Sequence, residues 1–349
     1  MKQKFIFIFR FLILVCILPS TGKASPNYSH INEVTLEKHI LPRYTDLVQK
    51  TKALRLTVNR LCKNVSSTRL FEARTTFHDA LDSWQSIEHI RFGPVESISA
   101  HARLNFWPDR RNRVGKHLRQ LLVRTNKKIL KPSAFELGSV AVQGFPALER
   151  LLFAKTAERN FSETESIITP CRAANAMTAN IVSISLKIVS LWKNKQFAFK
   201  KSKNGTGELF NSLASGLKGI AELKLKGPVG SATGRARPKR AENWRSSREI
   251  KNIRWNLSAL NNLYKHMANT AGSILSETPH DNIIRQLFKR TLNDLDSLGP
   301  SMGAMLATDQ GRLKVKVLAA DILDLRELII THVAEALNLT IGFNSLDGD

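Results

Sequence analysis

Acidic residues are scarce in this chain: 29 Asp and Glu stand against 53 Lys and Arg among 349 residues, a formal charge of +24. An excess of that size attracts polyanions such as nucleic acid, lipopolysaccharide or an anionic membrane face. No nucleic-acid motif accompanies it, and the basic residues are spread along the chain rather than interleaved with aromatics. A lysine-rich surface without such a partner is the simpler reading. Cysteine is nearly absent, with only Cys16, Cys62 and Cys171. There is no Cys-x-x-Cys-His, no Gly-x-Ser-x-Gly and no phosphate loop, so c-haem, serine-nucleophile and nucleotide chemistry have no support. His-Glu-x-x-His is missing too, and with it the glutamate that activates a zinc-bound water. Past the N-terminus no segment approaches 18 unbroken apolar residues, and strand-like alternation is almost wholly lacking.

What is present begins with a leader. Lys2 and Lys4 precede an apolar run, and a small-x-small site ends at Ala24, the pattern of a secretory signal peptide over 1–24 cleaved before Ser25. Arg10 interrupts the run, which is short for a membrane span. Cys16 is a poor lipidation site, because Val15 stands where a small residue is wanted. The expectation is a soluble, exported, periplasmic protein without a transmembrane segment. Cleavage removes Lys2, Lys4, Arg10 and Lys23, so the charge falls by four to +20. Two cysteines remain. In an exported chain Cys62 and Cys171 are expected as a disulfide, with two buried free thiols as the alternative. Neither has the neighbouring ligands that a metal site needs.

Helical periodicity dominates the rest. Phe77, Leu81, Trp84 and Ile87 mark a helix starting near Ser67 and stopped by Gly93-Pro94. Ile250, Ile253, Leu257, Leu260, Tyr264 and Met267 form a second stripe, and Ser246 and Glu249 ahead of it have capping-box spacing. Leu318, Ile322, Leu325, Ile329, Val333 and Leu337 form a third. Shorter patterns run through 33–61, 112–126, 164–194, 206–222 and 281–297. The fold class is all-α. Residues 224–243 hold Gly, Pro and basic residues with little to bury, so an exposed linker loop is expected there. It divides the chain into helical bundles over 25–223 and 244–349, packed on each other. One continuous helical domain with a surface excursion is the alternative.

One stretch carries the most information. Gly144-Phe-Pro146-Ala-Leu-Glu149 sets a single carboxylate among Phe145, Leu148, Leu151 and Leu152. It resembles the Gly-x-His-x-x-Glu signature of the imelysin-like family, with Pro146 in the histidine position. Other segments resemble the same family in the same order. They are Trp84 to Pro94, ending in a Gly-Pro corner; Asn105-Phe-Trp107-Pro108-Asp109-Arg110-Arg111; Trp244-Arg245-Ser246 opening a helix; and the tail 341–349. The cysteine pair falls where similar exported members carry one. The resemblance implies two helical bundles with internal duplication, and a family placed near metallopeptidases and linked to iron uptake and periplasmic metal handling.

The residues argue against the metal chemistry. Imidazole and carboxylate three apart on a helix share a face and could meet one ion, but Pro146 has no lone pair to offer. Neither catalytic residues nor a metal or other cofactor are expected, and a metallopeptidase with an atypical site is the alternative. Glu149 is either buried in an ion pair with Arg91, Arg150 or Arg245, or faces a polar cleft between bundles. Pro146 suits a first helical turn, whose free N–H groups could hold an anion or carboxylate. The candidate cleft is drawn from Glu149, Arg91, Trp107, Asp109, Arg110, Arg245 and Asp347, taking an unknown ligand or envelope partner. Trp84 and Trp107 are either core plugs or walls of that cleft. His332 and Glu335 repeat the i,i+3 spacing without the motif glycine, and the other histidines show no clustering.

Overall fold

A computed structural model describes residues 26–230, 235–276 and 278–339. The leader and its cleavage site, and Asp347 with the rest of the terminal segment, lie outside the described residues. Those described form helices and connecting turns, with no strand among them. The long helices are α1 (28–63), α2 (Ser67–Gln85), α3 (Arg113–Leu122), α4 (Phe145–Leu152), α5 (Pro170–Lys200), α6 (203–229), α7 (Glu249–Ala271), α8 (Pro279–Asp296) and α9 (309–336). Helices α1, α6 and α9 each contain a π-helical stretch, at Leu36–Ile40, Gly219–Lys226 and Ile329–Val333.

The apolar stripes read from the sequence are the buried faces. Phe77, Leu81 and Trp84 on α2, Ile253, Leu257, Leu260, Tyr264 and Met267 on α7, and Leu318, Ile322, Leu325, Ile329 and Val333 on α9, with Leu337 just after it, are buried, while Ile250 is half-buried. Side-chain caps start several helices: Ser66 accepts from the Arg69 N–H, Thr169 from Arg172, Thr278 from Asp281 and Thr308 from Gly311. Gly93 has φ +63°, a conformation that favours glycine, and Pro94 follows it in the first turn of a short helix. Helix α5 is long and apolar enough to cross a membrane by composition, yet Ile181, Ile184, Ile188 and Trp192 are buried inside the bundle.

One group of helices packs α1 against α2 and α5, with α4 lying on α2 and α5. The other packs α6, α7, α8 and α9. The groups meet where α7 lies on α2 and where the start of α1 reaches α6 and α7. Their buried residues form one continuous hydrophobic cluster. Cys62 and Cys171 are joined, Cα–Cα 5.4 Å, tying the end of α1 to the start of α5.

The exposed-loop expectation for 224–243 is corrected over part of its length. Helix α6 belongs with α7 and α9 and continues through Lys224 and Leu225 to Val229. Lys224 and Glu242 are only 7% and 2% exposed. Composition marks Lys and Glu as surface residues, but partners from elsewhere in the chain draw these two inside.

Candidate functional site

The Gly144 to Glu149 segment is held by close backbone contacts and hydrogen bonds. Gly144 caps α4 with extended backbone, and a Cβ there would come within 2.5 Å of the carbonyl oxygens of Arg103 and Leu104. Only glycine lets the short helix Ala100–Leu104 touch the start of α4. Gln143 braces the preceding turn, donating from Nε2 to the carbonyl oxygens of Phe135, Glu136 and Gly138 at 3.0 to 3.1 Å. Pro146 stands in the first turn of α4, where its missing N–H costs no helical bond. Three residues later Glu149 shares its face, and both line one cleft.

Glu149 is 3% exposed, and its Oε1 accepts from the Ser246 N–H at 3.0 Å and the Ser246 hydroxyl at 2.6 Å. The expected ion pair with Arg91, Arg150 or Arg245 does not form among the described residues; a backbone N–H and a hydroxyl from the turn before α7 take its place. Burial pushes the carboxyl pKa up, and the two bonds from Ser246 and the more distant Arg245 charge oppose that rise. The capping box is corrected here too. Helix α7 starts at Glu249 with Arg248 as an N-cap lacking a side-chain bond, so Ser246 lies two residues before the cap, where its hydroxyl donates to Glu149. Trp244-Arg245-Ser246 accordingly sits in a turn rather than a helix, with Asn243 and Ser247 at φ 52° and 55°.

The cleft encloses about 330 Å³ where the 105–110 loop and α4 face residues 222–227 and 239–245. It brings together Trp107, Asp109, Arg110, Pro146, Glu149 and Arg245. Arg91 stands outside this cleft, in a smaller cavity of about 30 Å³ with His101, Lys224 and Glu242 and in an open one of about 490 Å³ with His101 and Trp107. Trp107 lines all three, its Nε1 donating to the Arg240 carbonyl at 3.3 Å, whereas Trp84 is a core plug. Asp109 caps α3, its two oxygens accepting from the N–H groups of Arg113 and Val114 at 2.7 and 3.0 Å. The Arg245 guanidinium lies 4.1 Å from the centre of the Trp244 ring.

Behind the cleft is a charged cluster that the sequence reading missed. Lys224 donates from Nζ to Glu88, to Glu242 at 2.9 Å, to Gln85 at 2.8 Å and to Asn256 at 2.7 Å. Glu242 also accepts from Asn105 at 2.6 Å, Gln85 at 3.1 Å and Asn252 at 3.2 Å. Burial disfavours the Lys224 ammonium, but the two carboxylates outweigh it and raise its pKa. Burial likewise pushes Glu242 up, and Lys224 with the Asn105 and Gln85 bonds brings it below the usual carboxylate range. Glu88 moves up, desolvated and repelled by Glu242 more than Lys224 offsets. The only sequence signal was negative: Lys224 and Glu242 bound a segment that looked featureless.

This arrangement has relatives. The sequence profile of imelysin (peptidase M75) matches residues 40–331. The chain belongs to the imelysin family. Iron-regulated protein A of Synechococcus elongatus is 22% identical over 304 residues, covering 80% of this chain and 78% of that one. An imelysin-like protein from Psychrobacter arcticum has a similar fold at TM-score 0.75 and 19% identity, covering 92% of this chain and all of its own. An iron-regulated protein A precursor from Parabacteroides distasonis superposes at TM-score 0.72 and 14% identity, over 89% of this chain and 96% of its own.

The motif of this imelysin-family chain does not fit a metal ion. Pro146 contributes no donor, Glu149 already accepts twice from Ser246, and the described residues contain no group of three His, Cys, Asp or Glu able to hold one. Histidines do come together elsewhere, correcting the reading that they are scattered. His39 and His89 are buried with their Nε2 atoms 2.8 Å apart, and the His266 ring is 5.9 Å from that of His39. His332 stacks on His280 with ring centres 3.5 Å apart.

Proposed function

We propose that the chain is an exported, non-catalytic imelysin-family protein that binds a ligand or partner group in the cleft at the junction of its helical groups. The observation that carries this reading is the convergence of Trp107, Asp109, Arg110, Glu149 and Arg245 on one cleft. Among the described residues no group of three His, Cys, Asp or Glu able to hold a metal ion accompanies them. Export rests on the leader over 1–24 and on the word precursor in the name of the Parabacteroides distasonis relative. A link to iron or metal acquisition is carried over from the relatives named iron-regulated protein A.

The test is to express the full chain in an exporting host and recover the secreted form. The expected N-terminus is Ser25. Native mass spectrometry is expected to show a bound species that Trp107→Ala releases. Chelator-sensitive proteolysis lost in Glu149→Gln would instead establish the metallopeptidase alternative, and a secreted form carrying nothing, with or without the substitution, counts against ligand binding.

A second reading has one observation behind it. Residues 110–135 contain nine Lys and Arg and no acid, and Arg111, Arg113, Lys116, Lys127 and Lys128 are exposed. This suits a polyanion-binding envelope protein, whose binding weakens steeply with salt and ignores changes at Glu149.

A further inference from the structure

The cleft has a charge asymmetry that bears on its ligand class. Each of its carboxylates is already engaged within the chain. Asp109 caps α3 with both oxygens, Glu149 accepts from Ser246, Glu222 pairs with Lys226 at 2.8 Å, and Glu242 is enclosed by Lys224 and three amides. The cations are not. Arg110, Arg150, Arg240 and Arg245 line the same cleft, and none forms an ion pair with a described carboxylate. Arg150 donates to the Asn112 side-chain oxygen at 2.6 Å, a neutral partner, and Arg245 rests on the Trp244 ring. Lys239 approaches the same ring, 5.6 Å from its centre.

We propose that this cleft takes a small anion bearing phosphate or carboxylate groups, held by Arg150, Arg245 and Arg110 beside the Trp107 and Trp244 rings. The inference rests on the reading of the cleft as a ligand site and adds the ligand's chemistry. Guanidinium groups present paired N–H donors that match the two oxygens of a carboxylate or phosphate. Arg150 and Arg245 are half-buried, and burial lowers the pKa of both; Arg245 lowers that of Arg150 further, and the Asp109 and Glu149 charges offset part of the effect on each without forming an ion pair. An anion bound to both guanidinium groups offsets what remains and replaces lost solvent. A volume of about 330 Å³ admits a metabolite-sized ligand. Pro146, in the same lining, has no side-chain lone pair to hold a cation.

The experiment is calorimetric titration of the secreted protein, at low and high salt, with inorganic phosphate and separately with citrate. The two arms distinguish a phosphate from a carboxylate ligand. Saturable binding to either is expected. Arg150→Gln and Arg245→Gln should each weaken it about tenfold or more, and Lys127→Gln/Lys128→Gln on the basic surface should leave it unchanged. Melting curves establish that the variants are folded, and exposed Arg110→Gln provides a substitution with little structural cost. Absence of binding to both anions by folded protein, or binding undiminished in the double Arg150→Gln/Arg245→Gln variant, overturns the proposal. A neutral or cationic species found in the cleft by native mass spectrometry overturns the anion assignment alone; an empty cleft that binds nothing overturns the ligand-site reading as well.

Discussion

Buried ionisable groups in this protein fall into two kinds, distinguished by whether a partner is present. Lys224 is held among two carboxylates and two amides and keeps its charge. His39 and His89 have each other and nothing that favours a proton. Burial lowers both pKa values, that of His89 to about 3, with Arg43 adding to the effect on each. His266 is also lowered by burial and Arg43. The charges that act on the pair are those of Arg43 and, on His89, Arg91, so protonation adds a cation beside cations. Because the folded pKa of His89 lies below its unfolded value near 6.5, its contribution to stability is full above that value and is lost as pH falls from there toward 3. Glu249, raised by burial to about 7, acts in the opposite sense, favouring the fold below about 4.5 and losing that contribution as pH rises through 7. Comparison of melting temperatures for the protein and His89→Gln isolates the histidine effect. The advantage of the unsubstituted protein is expected to shrink between pH 7 and 4, and a difference constant with pH would refute the assignment.

Among the elements, α4 depends most on a single residue. Its start lies against the carbonyl oxygens of Arg103 and Leu104, so the approach depends on Gly144 having no side chain. Gly144→Ala should destabilise by roughly 1–3 kcal/mol or more, because backbone rather than a flexible side chain must move. Urea unfolding measures this directly. Since the shift would also displace Pro146 and Glu149, ligand binding should weaken alongside stability; an alanine variant as stable as the parent would show that the contact yields easily. The same element shows how a local signal can mislead. Ser246 and Glu249 have capping-box spacing, but Ser247 at φ 55° turns the chain, the helix starts only at Glu249, and the Ser246 hydroxyl donates to Glu149 on α4. Isolated spacing cannot reveal a partner nearly a hundred residues away.

For the whole molecule the disulfide is a covalent long-range constraint. Cys62 and Cys171 are 109 residues apart and join α1 to α5. In the chain-entropy account a loop of that size contributes about 4–5 kcal/mol, within a general range of 0–5. Cys62→Ser/Cys171→Ser should therefore lower the unfolding free energy by roughly 2–5 kcal/mol. Equal denaturation midpoints for the oxidised protein and the double variant would mean that the link adds nothing. The bundle should retain its helical circular dichroism, because the core is continuous through both groups of helices and does not depend on the link.

Much of the architecture was legible because helix formation is local. The stripes on α2, α7 and α9, the Gly93-Pro94 turn and Pro146 in a first turn are written in neighbouring residues, and burial follows from their period. The cleft was partly legible too, since Trp107, Asp109, Arg110 and Arg245 stood in segments that resembled one family. Sequence alone also removed the motif's nitrogen ligand, because no fold can give proline a lone pair. Tertiary structure decided the rest. Lys224 meets Glu88 and Glu242, and Glu149 meets Ser246, across separations of up to 136 residues. A charged residue has the same letter in water or in a core, and only packing determines whether its partner is solvent, another side chain, or a ligand.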